Sequence, residues 1–119
     1  MRLATLAFAS AVLTIAGSAA ASAGYAIAFN PQTGRAAASS VSWDLNVTKR
    51  AALSSCGSGC RIVASGKKNC AAVVESISTG TSSWAVATGS TTSTAANQAW
   101  HGCRRKGGVN CKTAAAICD

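Results

Sequence analysis

Acidic side chains are nearly missing from this chain: Asp44, Glu75 and Asp119 stand against eleven lysines and arginines. Glycoside-cleaving chemistry built on two carboxylates needs a pair held at a set separation, and no such pair suggests itself. Asp44 suits a helix cap, Glu75 falls in the middle of a strand where it can face basic side chains, and Asp119 is the last residue. Histidine occurs once, as His101. A Ser-His-Asp arrangement would have to recruit Asp44 or Asp119, and no nucleophile-elbow sequence is present. Near a helix C-terminus, His101 reads as a surface residue whose cation complements the helix dipole. Aromatic residues make up only 5% of the chain and are not interleaved with the cations. Single-stranded nucleic acid is bound by successive stacking platforms, so no nucleic-acid partner is expected. Beyond residue 23, charged or polar residues interrupt every apolar stretch. None reaches the ~20 residues of a membrane-spanning helix.

The first 23 residues have the pattern of an export signal. Arg2 supplies the positive start, Leu3–Ile15 the apolar run, and Ala21-Ser22-Ala23 the small-residue cleavage site, with Ala19-Ala20-Ala21 as its neighbour. The remainder, residues 24–119, is short enough for one domain, with no transmembrane anchor once the signal is removed. It keeps ten of the eleven basic residues and all three acidic ones, a side-chain charge of +7. Large apolar residues are few and alanine is abundant. A core of alanine buries little area per residue, and a domain of this size needs reinforcement. All six cysteines fall between positions 56 and 118. An even count in a small exported chain implies disulfides and an extracytoplasmic place, secreted or periplasmic at the cell envelope.

Hydrophobic period and turn chemistry set the elements. Tyr25-Ala26-Ile27-Ala28-Phe29 alternates large and small, as a strand does. Asn30-Pro31-Gln32-Thr33-Gly34 is a turn, and Arg35–Val41 a second strand. Asp44 can cap a helix running to about Cys56, which Gly57 ends. Short strands follow at Arg61–Ser65 and Cys70–Ile77, then a small-residue linker at Thr79–Ser83. Trp84–Thr88 is a strand, Thr94 to about Cys103 a helix, and Lys112–Cys118 the last strand. Ala96, Ala99, Trp100 and Cys103 repeat Lys49, Ala52, Leu53 and Cys56 at a constant offset of 47. A basic residue directly follows the second cysteine of each copy, Arg61 after Cys60 and Lys112 after Cys111. The expectation is therefore α+β: two strand-helix-strand quasi-repeats, about 24–78 and 79–119, sharing one sheet with both helices on one face.

Pseudo-symmetry favours the pairing Cys56–Cys60, Cys103–Cys111 and Cys70–Cys118, in which the third bridge joins the two halves. A competing symmetric set pairs Cys60–Cys70 and Cys111–Cys118. Zinc ligation by Cys56-x3-Cys60 lacks a second ligand pair, so no metal and no cofactor is expected.

Several segments together resemble a known family. They are Tyr25-Ala26-Ile27-Ala28, Ala52-Leu53-x-x-Cys56, Cys60-Arg61-Ile62-Val63, Asn69-Cys70-Ala71-Ala72-Val73, and a second helix ending in Cys103 before Cys111 and Cys118. In this order they are similar to the secreted bacterial domain-of-unknown-function family 4189, over nearly all of residues 24–119. The resemblance implies the architecture and an exported location, and it brings no catalytic residues to carry over.

The remaining signal is charge. Lys67-Lys68 precede Cys70, and Arg104-Arg105-Lys106 open the stretch between Cys103 and Cys111. A disulfide-bracketed loop holds such cations at low entropic cost. The expected function is that of a non-catalytic basic domain, binding an anionic cell-envelope polymer or another protein through Lys67, Lys68, Arg104, Arg105 and Lys106. The alternatives are a small hydrolase using His101 and a protease inhibitor presenting Arg104-Arg105.

Overall fold

A computed structural model describes residues 23–78 and 81–119. The expected export signal, save its last residue, and the first two residues of the Thr79–Ser83 linker lie outside the described residues; the rest of that linker belongs to a strand that starts at Thr81.

The alternation in β1 (Tyr25–Phe29) organises the first half, because all five of its residues are buried. Its large side chains, Tyr25, Ile27 and Phe29, pack against Ala71 and Val73. Its small ones, Ala26 and Ala28, leave the opposite face shallow enough for a helix, and Ala52 and Cys56 press onto it. The turn after β1 closes with Gly34 N–H on the Asn30 carbonyl at 2.8 Å, and Gly34 takes a positive φ of 79°. β2 (Ala36–Ser39) pairs back on β1. Helix α1 (Leu45–Cys56) starts at Asp44, whose carboxylate accepts the Asn46 N–H at 2.9 Å. It stops where Gly57, at φ 96°, returns its N–H to Leu53. β3 (Arg61–Gly66) completes an antiparallel sheet in the order β2-β1-β3.

The second half repeats this order. β4 (Cys70–Ser78) is its central strand, with β5 (Thr81–Gly89) on one side and β6 (Lys112–Cys118) on the other, giving β5-β4-β6. Helix α2 (Thr92–Arg105) lies between β5 and β6 in the chain and packs Ala99 and Cys103 on Val74 and Ala85. Thr91 caps it, accepting the Thr94 N–H at 3.0 Å.

The architecture is α+β and disulfide-stapled, as expected, but the expected single sheet is two. They stack face to face, and each helix covers the outer side of its own sheet, so the layers run α1, first sheet, second sheet, α2. The cause is that β1 and β4 each bury both faces. A sheet with both helices on one side would leave the Tyr25-Ile27-Phe29 face in water. β4, grouped by sequence with the first half, is the core of the second sheet, so the two ββαβ units meet in the turn at residues 67–69.

Candidate functional site

The cysteines frame the surface. Cys56–Cys60 and Cys103–Cys111 each tie a helix end to the start of the next strand. Cys70–Cys118 does not join the halves. The two residues are direct partners on β4 and β6, so this bridge closes the second unit on itself. All six thiols are thus committed, and among the described residues no group of three His, Cys, Asp or Glu side chains could hold a metal ion.

The predicted cations fall into two separate groups. Lys67 and Lys68 sit in the turn before β4, where Lys68 has a φ of 72° and its N–H donates to the Asp119 carboxylate. Close by, burial and then the Asp119 charge push the Tyr25 phenol above its usual pKa. The other group lies at the far end of β4. Between Cys70 and Glu75 that strand spans about 17 Å. Here the expectation needs adjustment, since α2 continues two residues past Cys103. Arg104 and Arg105 form its last turn rather than a loop, and only Lys106, at the C-cap, leaves it. Cations are favourable at this end of a helix. Lys106 is pinned: its ammonium donates to the Trp84 carbonyl at 2.9 Å, its own carbonyl accepts from Ser83 at 3.2 Å, and it lies 5.5 Å from the Trp84 ring.

Trp84 leads to a cluster that sequence reasoning did not assemble. In the first sheet, Ala36, Phe29 and Arg61 stand side by side across three strands. In the second, Trp84, Glu75 and Lys112 do the same. The two rows meet between the sheets: Phe29 tilts against Trp84 at 5.3 Å, and the Arg61 guanidinium lies 5.4 Å over the same ring. Glu75 is only 5% exposed. Its Oε1 lies 3.8 Å from Lys112 Nζ, while its Oε2 is buried without a hydrogen-bond partner. Burial pushes the Glu75 pKa up, and the Lys112 charge opposes this only in part. The basic residue after each second cysteine was visible in sequence; that Arg61 and Lys112 end facing rows depends on register and sheet packing.

Outside, the two helices differ. On α2, Trp100 is 39% exposed, the Arg104 guanidinium lies 5.2 Å over its ring, and His101 meets it edge-on at 5.2 Å. The three carboxylates lie elsewhere: Asp44 caps α1 in the opposite layer, Glu75 is inside, and Asp119 accepts from Lys68 and Gly24. On the α1 side, Val41, Trp43 and Val47 are exposed, Trp43 by 70%. No helix among the described residues is long and apolar enough to cross a membrane.

A family model described as Domain of unknown function (DUF4189) matches residues 25–118, and the chain belongs to that family. Searches of curated proteins and of solved structures each returned no match.

Proposed function

We propose that this member of the DUF4189 family is an exported, non-catalytic domain that binds an anionic partner at the cell envelope. One observation carries the reading: Arg104, Arg105 and Lys106 are gathered at the end of a helix that a disulfide anchors, with Asp44 and Asp119 engaged elsewhere and Glu75 buried. Held in place, they lose little freedom on binding. Three disulfides suit an oxidising, extracytoplasmic setting. The helical form of Arg104-Arg105 favours binding over protease inhibition, since a helix does not offer the extended backbone that peptide-binding clefts take up. The His101 ring packs on Trp100 rather than on an acid, which favours binding over hydrolysis.

The test is retention of the protein on purified anionic envelope material across a salt series. Retention is expected at low ionic strength and should fall steadily as salt screens the contact, with a Debye length of about 10 Å at 0.1 M. No retention at low salt overturns the reading.

A further inference from the structure

We infer that the outer face of α2 is a binding surface for an acidic polysaccharide. The inference rests on the anionic-partner reading above and names the partner's chemistry. Ser93, Asn97, Trp100, His101 and Arg104 are all exposed and follow one another at i, i+4, i+7, i+8 and i+11. That spacing places them in one stripe of the helix, about 16 Å long at 1.5 Å per residue. Along it the chemistry changes in order. A hydroxyl and an amide come first, then an indole and an imidazole set edge-on, then a guanidinium lying over the indole. Gln98 and Arg105 are exposed beside it.

Each part matches a different feature of a sugar-acid chain. Amide and hydroxyl groups exchange hydrogen bonds with sugar hydroxyls. As the Arg104 guanidinium turns from the ring onto a carboxylate, the exposed indole offers a flat apolar surface to the C–H face of a pyranose ring. The guanidinium forks onto a carboxylate. The pairing of Arg104 with Trp100 at 5.2 Å puts the charge-binding and ring-binding groups side by side, as a uronic acid unit carries them. Helix α2 contains no acidic residue, so nothing on it repels a polyanion. It is also rigid: Ala95, Ala99 and Cys103 bury its inner side, Thr91 caps its start, and Cys103 is bonded to Cys111.

Other polyanions use less of the stripe. A polyphosphate or acidic peptide would engage the arginines and leave the neutral two-thirds idle. Single-stranded nucleic acid calls for a series of stacking rings, and α2 exposes one indole. A lipid surface calls for an apolar helix face, and among the described residues the large exposed aliphatic side chains lie off α2, at Val41, Val47 and Val109.

The experiment compares four probes at one ionic strength: polygalacturonate, polyglutamate of matched charge, single-stranded DNA, and anionic phosphatidylglycerol vesicles. Polygalacturonate is expected to bind most tightly. Trp100→Ala should weaken it about tenfold, the worth of one good aromatic contact, while leaving polyglutamate binding unchanged. Asn97→Ala, which leaves the indole in place, should also weaken polygalacturonate alone. Arg104→Ala should weaken both polymers, and Trp43→Ala neither. Polygalacturonate and polyglutamate bound equally, with no response to Trp100→Ala or Asn97→Ala, would overturn the polysaccharide assignment and leave the electrostatic reading standing. Preference for DNA or vesicles over polygalacturonate also overturns it. Binding to none of the four removes the anionic-partner reading itself.

Discussion

The two halves of this protein have one plan and different surfaces. Each places its first strand centrally, its second at one edge, its helix outside and its last strand at the other edge. Each breaks register at the same relative point, between Ile27 and Ala28 in β1 and between Val73 and Val74 in β4. Each staples its helix end to the following strand. The differences lie at the margins. Phe29 fills the end of the sheet interface in the first half, where the second half offers Glu75. The first helix ends at once on Gly57, whereas the second runs on through Arg104 and Arg105. A third disulfide exists only in the second half. Two-sided burial leaves the central strands little freedom to change, while helix ends and loops, facing water, are open to new chemistry.

The largest test of that comparison removes the unshared bridge. In the chain-entropy description, replacing Cys70 and Cys118 by alanine costs about 4 kcal/mol, against about 2 kcal/mol for Cys56 and Cys60, whose loop is short. Urea unfolding of the two double variants should show this ranking. Equal losses would mean that the closed β4–β6 pair holds without its disulfide.

A smaller effect separates the two helix-end loops. At Gly108 an added Cβ would sit 2.6 Å from Cys103 Sγ, 2.7 Å from Cys111 Sγ and 2.8 Å from the Cys103 carbonyl oxygen. Gly108→Ala should therefore cost about 2 kcal/mol, while Ser58→Ala in the first-half loop stays within about 0.5 kcal/mol. Thermal unfolding checks both, and a tolerant Gly108 would show that the longer loop can shift away from its disulfide.

The smallest effect is electrostatic. Burial raises the Glu75 pKa above its ordinary 4.5, with Lys112 pulling the other way. The folded protein then holds a proton that the unfolded chain has released, so this site's contribution to stability falls as pH rises from 4.5 through the raised value. Glu75→Gln should remove that slope and stabilise the protein at neutral pH. A Tm that stays unchanged at pH 7 and pH 4 would show that Glu75 ionises in the fold without penalty.

Much of this was legible in the chain itself. The alternation of Tyr25–Phe29, the Asp44 cap, the Gly57 stop and the repeated cysteine spacing are local signals, and each names its element. The division into two sheets was not legible. Period-two alternation says that a strand has two faces, but it does not say what covers each. β4 could be assigned to its sheet only through its pairing with β5 and β6. The two residues by which α2 outruns Cys103 follow no cysteine-spacing rule. Arginine is a good helix former and gains at a C-terminus, so the two residues after Cys103 carried the correction. At the candidate site, charge alone marked Arg104, Arg105 and Lys106. The contribution of Trp100, and the meeting of Phe29, Arg61 and Lys106 on Trp84, came from distances that no spacing encodes.

Three hydrogen bonds made far from these groups join the halves. Gly24 N–H reaches the Asp119 carboxylate at 3.4 Å, Asp119 N–H donates to the Asn69 carbonyl at 3.1 Å, and Lys68 meets the same carboxylate. The strand that opens the first unit, the turn between the units and the strand that closes the second all reach one corner of the molecule. Each half therefore enters and leaves at a shared vertex, like two petals on one stem.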